Sequence, residues 1–498
     1  MILFLVSPDS YTHDLLDRTD SAWFFTCGKA WMNGMTPYVD FADSKGPLLW
    51  FVYGVGYLIS QYNYIGMFWL SVLLYSFVYY WIFKTSNIFL NDSRLSFICT
   101  ILLSLSLFCP WFHDEVRAED WCQLFIAWSL YRACNMIYGS NTKHNYYLSF
   151  GILGMCLMAT LLIKYNITVM LAGIVAYCYY YAMRKKINIF KIFISSISGA
   201  FSLALPFLLY FIFNDNLSDF INEYFLNTFK TIQDSNSISN YFHEWLLTMV
   251  HPERMILFAL SVTGALMMGK SVRNDKYYFL YSFLCFYAIA IHHAFEFYLC
   301  SCLIFILWFI IPLVSIYKDY LSGKTNIIAL SAMVLVFITI FNYTFAGGYL
   351  INNLFFKDTQ YRKDLYNVGY LMSQVPKPTI IYFQSTDHGY GVLADALPGS
   401  KYWSSQTGAT ADMEQVQVND VLSGKTDFVM IDNVNSPLNK KVTLLKQSGY
   451  HKCYSYQTRK YTYELYTKKQ LEPIPPNFHV TCKDIILKRN VIKQNTIN

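Results

Sequence analysis

Ten apolar segments, each close to the length that crosses a lipid bilayer, run through the first 346 residues. An α-helix of about 20 residues spans a hydrocarbon layer of about 30 Å. Apolar helices of this length are stable in lipid, where all backbone groups are paired within the helix. The segments are 64–83, 95–112, 121–138, 146–163, 165–183, 190–213, 254–269, 277–292, 297–317 and 326–346.

The composition agrees with burial in lipid. Charged residues make up 14% of the chain, whereas about 25% is usual in globular proteins, and 55% of the residues are hydrophobic. Met1–Val6 is apolar but too short to span before Pro8, and it lacks the basic start of a signal peptide. We interpret it as the end of a first span, or as a start at the membrane surface. The sequence thus predicts a polytopic α-helical membrane protein with about 10–11 spans.

Lysine and arginine in short loops predict the orientation of these spans. Cytoplasmic loops of membrane proteins carry an excess of both residues. Four basic loops fall on one side when the ten spans are taken in order, which predicts an inner (cytoplasmic) membrane location with that side inward. The loops carry Lys84 and Arg94; Arg184, Lys185 and Lys186; Lys270, Arg273 and Lys276; and Lys318 and Lys324.

The other side then receives the outer loops 8–63, 113–120 and 214–253, and everything after residue 347. Within the first loop, residues 47–61 are apolar but short. A crossing there would invert every later loop, so we expect an interfacial helix on the outer face. The predicted organisation is a transmembrane module, 1–346, followed by an extracytoplasmic domain, 347–498.

The C-terminal segment reads as a small soluble α/β domain. Thr379–Gln384 and Asp427–Asp432 are short apolar runs typical of buried strands, and 411–423 has a helical pattern between them. Residues 459–468 alternate like a strand. Among the 12 cysteines, Cys453 and Cys482 either form a disulfide or remain free thiols.

The first outer loop contains the first group of candidate functional residues. Residues 20–33 predict an amphipathic helix capped by Asp20 or Ser21 and ended by Gly34. Turn signals follow at Pro37 and at Gly46-Pro47. This structured loop would hold four charged side chains near the lipid boundary: Asp20, Asp40, Asp43 and Lys45.

Further ionisable residues lie at three span ends on the same side, where such residues are functional candidates. Simpler interpretations exist for some: Glu119 and Asp120 could start a helix, and Lys164 could extend to the lipid surface. The set comprises Arg117, Glu119 and Asp120 in the second outer turn, Lys164 at the next, and His292, His293, Glu296 and Tyr298 at a late one.

A charged face beside lipid suits transfer of a sugar from a polyprenyl-phosphate donor. Such a reaction needs a base for the acceptor hydroxyl, which a carboxylate can supply. It also needs cations for the departing phosphate and an apolar groove for the lipid tail. The acidic residues on two outer loops, with Lys45, Arg117 and Lys164, supply the polar parts.

The sequence resembles membrane glycosyltransferases of the GT-C class, in the family 39-like branch of protein O-mannosyltransferases and lipid A aminoarabinose transferases. Motif-level likeness covers the first ~50 residues, and the layout covers nearly the whole chain. The matching residues are Asp20-Ser-Ala-x-Phe, Gly34-x-x-Pro37-Tyr38-x-Asp40, Asp43-x-Lys45-Gly46-Pro47-Leu48, the pair Glu119-Asp120, Leu162-Ile-Lys164 and Leu397-Pro-Gly-Ser-Lys-Tyr402.

This resemblance implies a GT-C-like module and an inverting transfer from the donor to a glycan, lipid or protein acceptor on the outer face. Asp20 would be the general base, and Glu119 would support it or orient the acceptor. Lys45, Lys164 and Arg117 would contact the donor phosphate. Relatives often carry a His-Tyr pair near the late outer turn, where this chain has His292-His293 and Tyr298. Asp40, Asp43, Asp120 and Glu296 are candidates for acceptor binding or support.

Three other functional classes are alternatives, and the sequence argues against the first two. A lipid-linked glycan polymerase or ligase usually has a large outer loop between spans. A transporter usually has internal repeats and broken central helices, which this sequence lacks. A receptor role for the C-terminal domain stays open, and Asp387–Gly391 reads as a loop after a strand that could touch the acceptor.

The sequence sets few requirements for cofactors. No residue spacing demands a metal, so we expect metal-independent chemistry, although acid-rich loops would tolerate a divalent ion. The net charge of +6 is spread along the chain without a basic run, which argues against nucleic-acid partners. The expected partners are the polyprenyl-phosphate-linked sugar, membrane lipid and the acceptor.

Overall fold

A computed structural model of the 498-residue chain provides the fold. The residues that the structure describes are 7, 19–108, 116–139, 143–227, 252–272, 275–290, 296–318, 359–383, 387, 389–404, 411–431, 439–457, 462–475 and 478–497. The predicted span 326–346 and the histidines His292 and His293 lie outside these ranges.

Helices dominate the described residues. Pro206 lies inside the helix that begins at Ile189, and a π-helical turn, Ile221–Leu226, precedes residue 227. In chain order the α-helices are α1 (Thr19–Met32), α2 (Pro47–Ile59), α3 (Ile65–Leu90), α4 (Ser93–Ser104), α5 (Ala118–Tyr138), α6 (Lys143–Leu161), α7 (Tyr165–Arg184), α8 (Ile189–Phe213), α9 (Leu217–Phe220), α10 (Pro252–Ser271), α11 (Tyr278–Ala290), α12 (Leu307–Ile316), α13 (Thr359–Met372), α14 (Tyr390–Ala394), α15 (Ala411–Leu422), α16 (Asn439–Gln447) and α17 (Cys482–Ile497).

Nine of the ten predicted spans coincide with helices, and the tenth lies outside the described part of the chain. Within that part, four helical segments are long and apolar enough to cross a membrane: Ile65–Leu90, Tyr165–Arg184, Ile189–Phe213 and Tyr298–Ile316. Shorter apolar helices occupy the predicted spans 95–112, 146–163 and 277–292. The helix expected over 47–61 is α2, which begins at Pro47.

A five-stranded sheet forms the centre of the C-terminal region. Its strands are β1 (Thr379–Tyr382), β2 (Leu397–Pro398), β3 (Phe428–Ile431), β4 (His451–Gln457) and β5 (Thr462–Thr467), in the order β2-β1-β3-β5-β4. β1 is parallel to β2 and β3, whereas β5 is antiparallel to β3 and β4. The α/β domain is therefore confirmed, with three predicted strands, β1, β3 and β5, and two that were not predicted, β2 and β4.

The apolar runs become strands because both faces of the sheet centre are covered. All four residues of β3 are buried, and Val429 pairs with Ile381 on one side and with Tyr466 on the other. Runs that are apolar at every position are typical of strands covered on both faces. Val421 of α15 and Leu445 of α16 pack into the same core. Cys453 and Cys482 are free thiols, so the disulfide interpretation is wrong.

The chain divides into two compact units, which we describe separately. The first contains Ser7 and the described residues of 71–210 and 236–355, and therefore most of the apolar helices. The second contains those of 8–70, 211–235 and 356–498. The first outer loop thus folds with the C-terminal α/β domain. The division of the chain at residue 346 stays a prediction.

Helix α1 is a central element of the second unit. It packs on α2, α14 and β2, and every residue from Ser21 to Ala30 is buried. A Cβ atom on Gly28 would lie 2.4 Å from the backbone nitrogen of Gly54, so the two helices touch through their backbones. The prediction of an amphipathic helix is wrong, because the C-terminal domain covers the helix face that was expected to be exposed to solvent. The helix begins at Thr19, so Asp20 lies in its first turn, and Gly34 follows with a φ of +91°.

Candidate functional site

A buried ion pair joins two of the predicted site residues in the first unit. Lys164 Nζ bonds Glu119 Oε1, and the two side chains are 8% and 1% exposed. Glu119 lies in the first turn of α5, and Lys164 is the residue before α7. Burial favours the neutral amine, but the Glu119 carboxylate outweighs it and holds the pKa of Lys164 above its usual value. The pair therefore lies at the starts of two helices, with Lys164 in its charged form.

An aromatic ring completes this charged pair. The Lys164 ammonium lies 4.1 Å from the centre of the Tyr298 ring, a distance at which cation–π attraction stabilises a partly desolvated charge. The structure therefore brings together three residues that the sequence analysis placed on separate turns. Glu296 begins the 3₁₀ segment that carries Tyr298, but its side chain lies outside the described residues.

Asp120 has a structural partner set at the start of α5. Its Oδ2 accepts a hydrogen bond of 2.8 Å from the backbone nitrogen of Arg117, and its Oδ1 accepts one from the hydroxyl of Tyr75. A carboxylate in the first turn is stabilised by the unpaired backbone N–H groups and by the helix dipole. The simple interpretation of Asp120 as a helix-starting residue therefore agrees with these contacts.

A narrow cavity adjoins Asp120 within the first unit. It holds about 40 Å³, and each water needs roughly 10–15 Å³ on this scale, so the cavity accommodates about three or four waters at most. In this form it is too small for a prenyl chain. Its walls combine polar groups with aliphatic side chains. They are Tyr75, Val78, Tyr79, Ile82, Leu103, Ser106, Leu107, Asp120, Gln123, Cys300, Leu303 and Ile304.

In the second unit, Asp20 and Lys45 lie near the same face of α1. The Lys45 ammonium lies 6.0 Å from the ring centre of Trp23 and 5.8 Å from that of Phe24. These residues follow Asp20 by three and four positions, which places them one helical turn along the same face. Asp20 and Lys45 are each partly exposed, so both can meet a substrate.

The loop after α1 holds Lys45 in place. Tyr38, whose φ is +67°, donates its hydroxyl to the backbone oxygen of Lys45 at 3.0 Å. Asp43 is buried, and its Oδ1 lies 3.9 Å from Lys45 Nζ and accepts hydrogen bonds from Ser44. Asp43 Oδ2 is buried without a hydrogen-bond partner among the described residues. A second acceptor site beside a cation suits a polar ligand.

Asp40 behaves differently from its neighbours. It is exposed, and its Oδ2 accepts a hydrogen bond of 2.7 Å from the backbone nitrogen of Thr36. This contact closes the turn that follows α1. Asp40 is therefore a turn residue in this structure.

The structure also reveals charged residues that the sequence analysis did not select. Lys29, on α1, is fully buried and bonds the C-terminal domain at Gly391, while Arg489 pairs with Asp395. Asp387, expected in a loop after a strand, is buried and accepts a hydrogen bond from Thr26. A lone lysine inside the apolar stretch 22–32 was the signal available for Lys29.

Within the described ranges, no group of three or more His, Cys, Asp or Glu residues is placed to hold a metal ion. The expectation of metal-independent chemistry stays a prediction. What the two units offer is a carboxylate at a helix start, partly exposed cationic groups, and a buried lysine–glutamate pair. These groups can accept a proton and stabilise an anion.

Comparison with known proteins supports the fold. ArnT from Cupriavidus metallidurans bound to undecaprenyl phosphate matches with a TM-score of 0.63 and 9% identity, over 93% of this chain and 96% of that one. The apo state of ArnT from the same organism matches with a TM-score of 0.59 and 10% identity, over 94% and 96%. No family model matches this chain, and no curated protein matches it.

At this level of identity the likeness establishes the fold. The predicted fold class, a GT-C-like α-helical membrane protein with a C-terminal α/β domain, is confirmed, since one fold covers both the helical part and the sheet. The apolar helices and this fold make the chain an integral membrane protein.

Proposed function

We propose that this protein transfers a sugar from a polyprenyl-phosphate donor to a glycan, lipid or protein acceptor. The observation that carries the proposal is the buried Glu119–Lys164 pair at helix ends, set in the fold of a protein that binds undecaprenyl phosphate. A chain retains two buried charges at a cost in desolvation, so a functional reason for them is favoured over a packing reason. The pair would face the donor phosphate.

Asp20 is the proposed general base. Its carboxylate takes the proton of the acceptor hydroxyl, whose oxygen bonds the anomeric carbon while the bond from that carbon to the phosphate oxygen breaks. The electron pair leaves with the polyprenyl phosphate, and a single displacement inverts the anomeric centre. The half-buried position of Asp20 in the first turn of α1 leaves its carboxylate accessible to the acceptor.

The cations stabilise the leaving phosphate. The Lys45 ammonium lies near Trp23 and Phe24, which are one turn along α1 from Asp20, and its charge is partly exposed. Lys164 and Arg117 would act from the helix starts in the first unit, with Glu119 keeping Lys164 protonated and directed. Charge stabilisation by fixed groups in a low-dielectric site is the largest contribution in many enzymes. The proposed reaction therefore needs no metal.

The proposed topology places this chemistry on the outer face of the inner membrane. The basic loops then face the cytoplasm, and the C-terminal α/β domain is extracytoplasmic. The presence of the first outer loop and the α/β domain in one compact unit is consistent with a shared side. Protease protection of C-terminal tags in spheroplasts tests this orientation.

Replacing Asp20 with asparagine tests the base. Purified protein in lipid nanodiscs would receive undecaprenyl-phosphate hexoses and pentoses together with cell-envelope extract, and release of undecaprenyl phosphate would be measured. We expect Asp20→Asn to lose at least about a thousandfold in turnover, because general-base assistance contributes up to about 10⁴-fold. Asp40→Asn is the matched control, since the exposed Asp40 carboxylate contacts a turn nitrogen.

Two results would contradict the proposal. Full transfer by Asp20→Asn would remove Asp20 as the base. Substrate movement across the membrane without glycosidic bond cleavage would replace the transferase with a transporter. Mass spectrometry of cell-surface glycans and glycoproteins after gene deletion would identify the sugar and acceptor.

A further inference from the structure

Two positions on one side of α1 bind the C-terminal domain through buried polar contacts. Lys29 Nζ donates a hydrogen bond of 2.9 Å to the backbone oxygen of Gly391. One turn earlier, Thr26 Oγ1 donates one of 3.0 Å to Asp387 Oδ2. Both α1 side chains are 0% exposed. A single short stretch, residues 387 and 389–395, thus receives successive turns of α1.

The receiving segment is held in a defined shape. Asp387 Oδ1 accepts a hydrogen bond of 2.8 Å from the backbone nitrogen of Gly389, which has a φ of +85°. Helix α14 follows, with all five of its residues buried. The helix ends at Ala394 and is followed by Asp395, a non-glycine residue with a φ of +60°. A left-handed conformation at aspartate costs free energy, so surrounding contacts must maintain it.

Arg489, from the last helix of the chain, supplies those contacts. Its Nη2 lies 2.5 Å from Asp395 Oδ2, and its Nη1 donates a hydrogen bond of 3.1 Å to the backbone oxygen of Leu393. Its guanidinium lies 4.4 Å from the ring centre of Tyr62. On the other side, Tyr57 of α2 donates its hydroxyl to Asp395 Oδ1 at 3.2 Å. Asp395 therefore connects α2 and α17 at the segment that also binds α1.

A buried lysine joins two elements at a cost in desolvation free energy. Burial lowers the pKa of Lys29 to about 8, while Asp395 and Asp387 oppose the shift. Apolar side chains of similar volume often pack at least as stably as buried charges. Charged groups with directional hydrogen bonds define one relative position of the elements, which apolar contacts do less strictly.

Lys29 lies on the side of α1 away from the proposed base. It follows Asp20 by nine residues. At about 100° per residue this is roughly two and a half turns, so the two side chains project from opposite sides of the helix. Lys29 therefore does not meet the reacting groups. It holds the helix from behind, at the surface covered by the C-terminal domain.

We propose that Lys29, Asp387, Asp395 and Arg489 form a positioning network through which the C-terminal domain sets the location of Asp20. This inference rests on the proposed function of Asp20. It gives the α/β domain a defined task in the reaction, which is to hold α1 so that the Asp20 carboxylate reaches the acceptor hydroxyl. Misplacement of a catalytic group by about 1 Å can cost roughly a hundredfold in rate.

Three substitutions test the network at different strengths. Lys29→Met removes the α1 cation, and Arg489→Gln removes the guanidinium that pairs with Asp395. Tyr57→Phe deletes one hydroxyl and is the mildest change. Lys488→Gln is the matched control, because the neighbouring Lys488 pairs with Glu472 in a largely exposed contact of 2.7 Å. The proteins would be purified in nanodiscs as full chains.

Turnover and the local stability of α1 would be measured on the same samples. We expect kcat to fall about tenfold to a hundredfold in Lys29→Met and Arg489→Gln, with KM for the undecaprenyl-phosphate sugar donor within about twofold. Hydrogen exchange in residues 19–32 should accelerate at least about tenfold in both. Lys29→Arg, which keeps the charge and donors, should recover part of the kcat. Tyr57→Phe should reduce kcat by about threefold to tenfold, and Lys488→Gln should match the wild type.

The outcomes separate this inference from the proposed function. A wild-type protein that transfers no sugar refutes the function and with it the catalytic task of the network. An active wild type overturns the network alone if the variants keep its kcat, or if exchange in residues 19–32 is unchanged. General unfolding would raise KM and lower kcat by the same factor, and exchange protection would be lost throughout the chain. That result would also overturn the positioning role of the network. Tyr57→Phe keeps the test decisive if the charged variants do not fold.

Discussion

The Glu119–Lys164 pair allows a quantitative test of buried charge in this protein. Removing one partner of a buried pair leaves an uncompensated charge, at a cost of about 3–5 kcal/mol. With side chains 8% and 1% exposed, this pair falls in that class. We therefore expect Glu119→Gln and Lys164→Met, made singly, to destabilise the protein by about 3–5 kcal/mol each. The double variant should lie within about 1–2 kcal/mol of the wild type.

Thermal unfolding in lipid nanodiscs would measure these changes. An unfolding entropy of about 2.1 cal/mol/K per residue corresponds to roughly 1 kcal/mol/K for a chain of this length. The single variants should then lower Tm by about 3–5 °C, and by more if the first unit unfolds separately. The double-variant cycle should therefore give a coupling free energy of at least about 4 kcal/mol.

A half-exposed pair in the same unit provides the control. Arg184 Nη1 lies 3.2 Å from Asp275 Oδ1, and the Arg184 side chain is 59% exposed. Exposed pairs contribute about 0–1 kcal/mol. Arg184→Met should therefore change Tm by about 1 °C or less. Single Glu119 and Lys164 variants that are as stable as Arg184→Met, or whose effects simply add, would refute the buried-pair argument.

Two further predictions concern α1. Gly28→Ala should destabilise the second unit by about 1–3 kcal/mol, because the new Cβ would meet the backbone of Gly54 at 2.4 Å. Hydrogen exchange in residues 19–32 and 47–59 would measure this change. Gly34→Ala is the control: nothing lies within 4 Å of its new Cβ, so the change tests only the strain at a φ of +91° and should cost less free energy. Since the folded pKa of Lys29 is lowered from 10.5 to about 8, the unfolded chain binds more protons between these values, so stability should rise with pH there by up to about 1.4 kcal/mol per pH unit relative to Lys29→Met. Parallel Tm curves for the wild type and Lys29→Met from pH 7 to 10 would contradict this assignment.

Local patterns predicted most of the elements of this fold. Apolar length predicted nine helices in the described residues, and short apolar runs predicted β1 and β3. These signals are local, since a hydrophobic run must be buried whatever it packs against. Strand β4 was missed because six of its seven residues are polar or aromatic, and because their exposure at the sheet edge does not alternate regularly. The amphipathic prediction for α1 failed because burial depends on a domain more than 300 residues later.

The candidate site was likewise predicted from the sequence only in part. Sequence alone selected Asp20, Lys45, Glu119 and Lys164, because ionisable residues at the ends of apolar segments are unexpected there. It could not show that Lys164 bonds Glu119, 45 residues away, or that Tyr298 lies beneath the ammonium. It treated Asp120 and Asp40 as candidates, and the structure shows hydrogen bonds that start a helix and close a turn.

The apolar segments and the turn residues by themselves determined that this chain is a polytopic membrane protein with a small α/β domain, since lipid solubility and local backbone preference act residue by residue. The tertiary structure decided which charges meet. Lys29 and Gly391 are 362 positions apart, and their contact exists because the sheet domain folds onto α1. A buried charge is stable only beside its partner, and the partner is chosen by the path of the chain through space.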